Sequence, residues 1–210
     1  SQESFLKNFI KLIGIKKIFL MAALEIRKKA YQIPDAHVNY IEAASIWESY
    51  GVDKSRIFIT RNSPDTDRLF SIKKKVERTP LLLEKSSFRI IHVGRLVKWK
   101  NVDMLIRVFA KIRKIATKSD LIIIGKGPEL NDLKELTHDL QISSYVKFLG
   151  GVYDPEILGK YLLESSVYVL AGMGGISIND AMCFGLPVLV SVGDGTEKIL
   201  VREGVNGKYF

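Results

Sequence analysis

The sequence predicts an α/β fold in which a parallel sheet carries helices on both faces. Five short apolar runs alternate with helical patterns in the second half of the chain. A loop that opens with glycine follows each of these runs. The composition, 47% hydrophobic and 26% charged, is typical of a globular protein. Because strands that alternate with helices form βαβ units, we expect the strands to run parallel and to be buried on both faces.

The first 87 residues are less regular than the rest. The elements predicted there are a basic amphipathic helix at residues 4–32, a strand at 36–41, a helix at 42–50 and a strand at 56–60. The first helix suits a membrane surface, although packing on a core is the commoner fate of such a helix. Residues 62–67, which include the D-x-D spacing of Asp65 and Asp67, are predicted to form a turn. Residues 73–87 are predicted to form a polar linker.

From residue 88 onward the pattern is regular. Strands are predicted at residues 89–93, 120–124, 145–149, 166–170 and 187–191, and helices at 102–116, 129–140, 155–163, 176–184 and 197–201. Ligands bind such sheets beyond the carboxyl ends of the strands, where the winding reverses. The loops at that edge are residues 94–101, 125–128, 150–154, 172–175 and 193–196. We interpret them as one site.

Cysteine and histidine usage excludes several classes of protein. The single cysteine, Cys183, excludes a disulfide framework and a cysteine-rich zinc site, and it is predicted to lie in the core. His37, His92 and His138 are scattered and never paired at metal-ligand spacing, so no metal is indicated. A reduced, cytoplasmic setting fits this composition.

The net charge of +9 suggests an anionic partner. A nucleic-acid module is one interpretation, but aromatic residues are not interleaved with the basic ones as a single-strand platform requires. A basic face toward an anionic surface is the better interpretation, and plain solvated charge is the alternative. No apolar run approaches the ~20 residues that cross a bilayer.

The glycine-rich stretch at residues 172–175 follows a predicted strand and precedes a helix. Such a break leaves backbone N–H groups pointing the same way at the positive end of the helix dipole, which is an anion site. Asp180 lies one to two turns into the helix, where a carboxylate can accept hydrogen bonds from hydroxyls. Phosphate and a polyol side by side suit a nucleotide sugar, whereas the alternative is an ordinary βα turn.

Two basic side chains follow the first strand of the regular region. Arg95 offers a planar fork and Lys100 a compact charge, and together they suit two linked phosphates. Trp99 could stack on a ligand or cover a domain junction, and we favour the junction. The dinucleotide motif G-x-G-x-x-G and the P-loop motif are both absent.

The motifs of residues 89–210, taken in order, carry a family likeness. Residues 94–101 are similar to G-R-L-x-x-x-K-G, residues 123–128 to I-x-G-x-G-P, residues 146–150 to V-x-F-L-G, and residues 175–188 to G-L-x-x-x-E-A-x-x-x-G-x-P-V. They resemble the retaining glycosyltransferases of family 4, also called group 1. The resemblance implies a GT-B fold, whose donor lobe is a Rossmann-like parallel sheet.

The resemblance also implies roles for individual residues. Arg95 and Lys100 would be catalytic, binding the diphosphate of the donor and stabilising the charge that develops as it leaves. The family's E-x7-E acids fall on Gly172 and Asp180, so the first carboxylate is missing and the second is shorter by a methylene. The residues expected to bind the nucleotide sugar are Gly94, Phe148, Leu149, Gly150, Val152, Gly172, Met173, Gly174, Gly175, Ile176, Ser177 and Asp180. The resemblance implies no metal and no cofactor, since the nucleotide-sugar donor is a substrate.

The resemblance implies that the chain is part of a longer enzyme. Residues 1–75 would be the end of the N-terminal acceptor lobe, 76–87 a linker and 88–210 the nucleotide-sugar-binding lobe.

The expected function is hexosyl transfer from a UDP- or GDP-sugar to a glycan or lipid-linked acceptor, with retention and without a metal. The fragment alone is expected to be inactive. A non-catalytic nucleotide-sugar-binding or regulatory lobe is the alternative. The expected location is cytoplasmic, with peripheral contact at the inner membrane face through the basic N-terminal part.

Overall fold

The computed structural model describes residues 17, 20–26, 28–30, 36–38, 41–60, 63–193 and 196–210. The chain forms two compact units, residues 1–62 and 63–210. Most of the helix predicted at residues 4–32 lies outside the described residues, and within that range residues 20–26 and 28–30 are helical. The predicted assignment of residues 1–75 and 88–210 to two different lobes stays a prediction.

The first unit contains a small parallel sheet. Strand β1 (Ala36–Val38) pairs with strand β2 (Ile57–Ile59), and helix α1 (Ile41–Ser49) connects them. The side chain of Asp53 accepts a hydrogen bond from the amide of Ser55 at 2.8 Å and so starts the turn that leads into β2. The two strands and the helix predicted between residues 36 and 60 are confirmed.

Parallel strands form the sheet of the second unit. They are β3 (Phe88–Val93), β4 (Ser119–Ile124), β5 (Val146–Gly150), β6 (Val167–Leu170), β7 (Val188–Val190) and β8 (Gly207–Tyr209). Their order across the sheet is β5-β4-β3-β6-β7-β8, and all neighbours pair in parallel. The predicted parallel sheet is confirmed. Strand β8 was not predicted, because three residues that include a glycine carry too little apolar pattern.

Helices cover both faces of this sheet. They are α2 (Thr66–Val76), α3 (Val102–Ile115), α4 (Leu130–Asp139), α5 (Pro155–Leu163), α6 (Ser177–Cys183) and α7 (Thr196–Leu200). Successive side chains of a strand point to opposite faces. Accordingly, Ile90 packs in one core cluster with Phe109 of α3, and Ile91 in another with Leu162 of α5 and Ile178 of α6. Cys183 is buried, as predicted.

Helix α2 corrects the sequence analysis. Residues 62–67 were expected to form a turn and residues 73–87 a linker, but Thr66–Val76 is helical. The side chain of Asp65 accepts a hydrogen bond from the amide of Arg68 at 3.0 Å and caps the helix. Ile72 and Val76 are buried in the sheet core. The polar residues of this segment therefore hide, at the level of sequence, a narrow apolar stripe that packs into the core of the second unit.

Three buried side chains hold the segment after α2 against the sheet. The ammonium of Lys160 donates to the carbonyls of Val76 at 3.1 Å and Thr79 at 2.6 Å. The carboxylate of Glu164 accepts from the amides of Leu82 and Leu83 at 2.7 and 3.0 Å. Arg89 donates to the carbonyl of Glu84 at 2.7 Å. These contacts fix the backbone that enters β3.

The winding of the sheet reverses between β3 and β6. The chain adds β4 and β5 on one side of β3, and then returns to add β6, β7 and β8 on the other side. Paired residues between β3 and β6 end at Ile91 and Tyr168, although both strands continue. Their carboxyl ends therefore separate and leave a crevice, which is where ligands bind in this type of sheet.

Candidate functional site

A cavity of about 510 Å³ lies at the carboxyl ends of β3 and β6. Its lining consists of Val93, Gly94, Arg95, Trp99, Lys100, Met173, Gly174, Gly175, Ile176, Ser177 and Asp180. Nine of the predicted site residues are therefore brought to one cavity, including both cations. The cavity lies at the reversal point of the sheet, as the position of the loops in the sequence predicted.

Packing between neighbouring loops positions the segment after β3. The amide of Gly94 donates to the carbonyl of Ile124 at 2.9 Å, and the amide of Leu96 to that of Lys126 at 2.9 Å. A Cβ on Gly125 would collide with the carbonyl oxygen of Gly94. This glycine, which has φ +154°, therefore lets the loop after β4 lie directly against the loop after β3.

Arg95 and Lys100 reach the cavity from this segment by different means. The guanidinium carbon of Arg95 lies 5.9 Å from the centre of the Trp99 ring, a distance at which a cation is attracted to an indole face. The ammonium of Lys100 donates to the carbonyls of Met173 and Gly174, each at 2.7 Å. Lys100 is therefore held against the glycine-rich stretch after β6, and Arg95 lines the same cavity beside Trp99.

Gly172 does not line the cavity. It packs against the backbone of the loop after β3, which carries lining residues. A Cβ on Gly172 would collide with the carbonyl oxygen of Trp99 and lie 2.5 Å from the Cα of Lys100. The amide of Met173 donates to that same Trp99 carbonyl at 3.2 Å. Only glycine fits here, because the backbone of the β3 loop occupies the space of a side chain.

Helix α6 begins at the cavity with little capping. Ile176 is its N-cap residue, and no side chain caps the helix. The helix spans Ser177–Cys183, shorter than the predicted range of 176–184. Because seven residues give only two turns, we assign most of the positive potential of the cavity to Arg95 and Lys100.

Asp180 and Ser177 supply the side-chain oxygen atoms of the cavity lining. Burial raises the pKa of the Asp180 carboxyl above its usual value. The hydroxyl of Ser177 shares a hydrogen bond of 2.7 Å with that of Tyr168, which also donates to the carbonyl of Val93 at 3.3 Å. Tyr168 is fully buried, and burial raises its pKa. The sequence analysis missed Tyr168, although a tyrosine in an apolar strand needs a partner for its hydroxyl group.

The residues predicted to meet the base lie apart from this cavity. Phe148, Leu149, Gly150 and Val152 occupy the end of β5 and the loop after it. Strand β5 is two strands from β3, or ~10 Å at the usual spacing of strands. The carbonyl of Gly150 accepts from the amide of Gly125 at 2.7 Å, which joins this loop to the one beside the cavity.

His92 is buried next to Gly94 of the cavity lining, where a Cβ on Gly94 would lie 3.2 Å from its Nε2. Its Nδ1 is 3.0 Å from the carbonyl oxygen of Val169, so Nδ1 carries the proton and bridges β3 to β6 beyond their paired residues. In the part of the chain that the structure describes, Nε2 has no hydrogen-bond partner. Complete burial lowers the pKa of His92 to about 4, and the imidazole is therefore neutral near pH 7.

Among the described residues, no group of three His, Cys, Asp or Glu side chains is arranged to hold a metal ion. Among the described helices, none combines the length and the apolar composition that crossing a bilayer requires.

The strand order and the crevice define a Rossmann-like lobe of the kind found in GT-B glycosyltransferases. Residues 73–210 match the family model for group 1 glycosyl transferases. The chain belongs to this family of transferases.

Two curated relatives and one solved structure illustrate the similarity. The alpha-monoglucosyldiacylglycerol synthase of Acholeplasma laidlawii is 28% identical over 153 residues, which are 71% of this chain and 37% of that protein. The GDP-mannose-dependent alpha-(1-6)-phosphatidylinositol monomannoside mannosyltransferase of Mycobacterium tuberculosis is 31% identical over 116 residues, 50% of this chain and 30% of that protein. The crystal structure of Anabaena HepE in complex with UDP-glucose aligns with a TM-score of 0.67 at 21% identity, and covers 89% of this chain and 53% of that one. The chain thus spans about a third of the length of these two relatives.

Proposed function

We propose that the protein transfers a hexose from a UDP- or GDP-sugar to a glycan or lipid-linked acceptor, with retention and without a metal ion. The observation that carries this proposal is the convergence of Arg95, Lys100 and the stretch Met173–Ile176 on one cavity at the reversal point of the sheet. Its volume of about 510 Å³ lies within the range of small-molecule sites.

The two cations supply the chemistry that the transfer needs. The leaving diphosphate gains negative charge as the bond to the sugar breaks, and fixed positive groups stabilise that charge. Arg95 can bind two phosphate oxygens with its planar fork, and Lys100 offers a compact charge that the carbonyls of Met173 and Gly174 hold in place. In this proposal they do the work that a divalent cation does elsewhere.

The names of similar proteins support the donor and the acceptor class. One relative is named as GDP-mannose-dependent, and HepE was solved with UDP-glucose. The names of two relatives include glycolipids, a glucosyldiacylglycerol and a phosphatidylinositol monomannoside, which favours a lipid-linked acceptor. Such an acceptor agrees with a cytoplasmic protein whose basic N-terminal part contacts the inner membrane face. In this arrangement residues 88–210 bind the donor, and residues 1–75 belong to the acceptor lobe.

A non-catalytic nucleotide-sugar-binding lobe is the second candidate. The observation in its favour is Gly172, which cannot carry a carboxylate because the backbone of Trp99 and Lys100 fills that space. The site then depends on Ser177 and Asp180 for its polar contacts with the sugar.

Calorimetric titration of this chain with UDP, GDP and their sugars tests the binding part of the proposal. We expect micromolar to millimolar binding of one nucleotide series, and loss of binding in the double variant Arg95→Ala and Lys100→Ala. Absence of binding by every nucleotide would refute the proposal. Assays of the longer protein with radiolabelled donors then separate the two candidates, because only the enzyme transfers the label to an acceptor.

A further inference from the structure

We propose that the indole ring of Trp99 is the platform on which the hexose ring of the donor stacks. This inference rests on the proposed function and specifies which residue recognises the sugar. It replaces the junction role that the sequence analysis favoured for Trp99.

The ring lies at the cavity and is half exposed. Trp99 keeps 50% of its surface accessible and lines the cavity together with Lys100, Met173 and Gly174. Burial of a tryptophan side chain is strongly favourable, so an indole left half exposed within a cavity is a surface that a ligand can cover. The guanidinium of Arg95, 5.9 Å from the ring centre, sets the diphosphate next to it.

The backbone of Trp99 is fixed to the glycine-rich stretch on the other side of the crevice. Gly172 has no side chain, and the carbonyl of Trp99 occupies that space and accepts from the amide of Met173 at 3.2 Å. The adjacent Lys100 donates to the carbonyls of Met173 and Gly174 at 2.7 Å. Asn101, which follows at φ 49°, donates from its side-chain Nδ2 to the carbonyl of Ala171 at 3.4 Å. Contacts from three consecutive residues, 99–101, therefore hold the backbone of Trp99 against the glycine-rich stretch.

The position of the Trp99 backbone depends on the absence of a side chain at residue 172. A larger residue at 172 would push the backbone of Trp99 and Lys100 away from the crevice. With glycine there, the backbone of Trp99 and Lys100 lies directly against the glycine-rich stretch, and the Trp99 side chain remains at the cavity. The C–H face of a pyranose is apolar and pairs with an aromatic ring, whereas its hydroxyls can reach Ser177 and Asp180 in the same cavity.

The position of the ring favours the hexose over the base. In a nucleotide sugar the base and the hexose lie at opposite ends of the diphosphate. The proposed base region, residues 148–152, lies on the β5 side of the diphosphate cations, and the backbone carbonyl of Trp99 contacts the loop after β6 on the other side. We therefore assign the indole to the hexose end.

Affinity measurements on Trp99→Ala and Trp99→Phe test the inference. With UDP, GDP, UDP-glucose and GDP-mannose as ligands, we expect Trp99→Ala to bind the free nucleotide within about twofold of wild type. Its affinity for the matching nucleotide sugar should fall about fivefold to tenfold, the range of one aromatic contact. Trp99→Phe should keep most of that affinity. Lys98→Ala is the matched control, because its side chain is 86% exposed and lies outside the cavity.

Fluorescence provides a readout that a structural role would not move. The chain has two tryptophans, Trp47 and Trp99. In Trp47→Phe, the remaining indole should change its emission with the nucleotide sugar more than with the nucleotide. In Trp99→Phe, which retains Trp47, neither the nucleotide nor the nucleotide sugar should change the emission of Trp47.

The outcomes separate this inference from the proposed function. If wild type binds no nucleotide, both fail. If it binds nucleotides but Trp99→Ala weakens nucleotide and nucleotide sugar equally, or neither, the indole does not hold the hexose and only this inference fails. A change confined to the KM of the acceptor in the longer protein would overturn it in the same way.

Discussion

The ammonium of Lys100 lies 2.7 Å from the carbonyl oxygen of Gly174 and so joins the loop after β3 to the loop after β6. The same ammonium donates to Met173. A side chain in the proposed diphosphate site thus also connects the two sides of the crevice, and its removal should affect both stability and binding.

Replacement of Lys100 with methionine should lower the free energy of unfolding by about 1–2 kcal/mol, because two carbonyls lose a charged donor. It should also weaken UDP or GDP binding at least tenfold. Urea denaturation and calorimetry measure the two effects. In Lys98→Met, which removes an exposed charge paired with Glu129 at 3.6 Å, both quantities should stay close to wild type. Unchanged binding in Lys100→Met would remove this residue from the diphosphate site.

Arg95→Ala should weaken nucleotide diphosphate binding by about 1.5–3 kcal/mol, the range of hydrogen bonds to charged groups. Arg95→Lys should recover only part of the loss, because an ammonium cannot bind two oxygens in a planar fork. Calorimetry with the diphosphate and the monophosphate measures the effect, which should be larger for the diphosphate. Arg107→Ala, on an exposed position of α3, is the control for net charge. Equal losses in Arg95→Ala and Arg107→Ala would mean that only the overall charge matters.

Gly172→Ala should destabilise the protein by about 1–3 kcal/mol, since the new methyl group must displace the backbone at Trp99 and Lys100. Urea denaturation measures this cost. Gly151→Ala is the comparison, because there the new Cβ meets the hydroxyl oxygen of Tyr153 at 2.8 Å, and that side chain is exposed and can rotate away. A cost at Gly172 no larger than that at Gly151 would contradict the close approach of the two loops.

Stability should fall in acid because His92 is buried and neutral. Its folded pKa of about 4 lies below the unfolded value of 6.5, and the unfolded chain therefore binds more protons between these values. The contribution of His92 is complete above pH 6.5 and is lost as the pH falls toward 4, by up to about 3 kcal/mol. The nearby charge of Lys100 acts in the same direction, and the raised pKa of Asp180 acts in the opposite one.

The difference between wild type and His92→Gln isolates this contribution. Unfolding free energies measured from pH 7 to pH 4 should fall less steeply in the variant, because Asp180 titrates in both proteins. Parallel pH profiles would show that His92 does not titrate on unfolding.

Much of the candidate site could be predicted because it depends on topology. Arg95, Lys100 and the stretch after β6 each follow a predicted parallel strand, and carboxyl ends of parallel strands share one edge. The structure places them together at the crevice for that reason. Their contacts with substrate stay a prediction.

Other features could not be predicted because they depend on tertiary contacts. Helix α2 was missed because its lysines and Asp65 dominate a short segment, and only packing against α5 reveals the role of Ile72 and Val76. The partner of the Tyr168 hydroxyl lies nine residues away in sequence, across the turn into α6. The hydrogen bond from His92 to Val169 spans 77 residues. Local patterns carry no information about such pairs.

The early end of pairing between β3 and β6 makes the crevice a property of connectivity. Any sequence that preserves this strand order keeps a cleft at the same place, whichever side chains surround it. The side chains that line the cleft can therefore change one at a time during evolution. A protein that has lost its original activity still keeps a cleft that can bind another ligand.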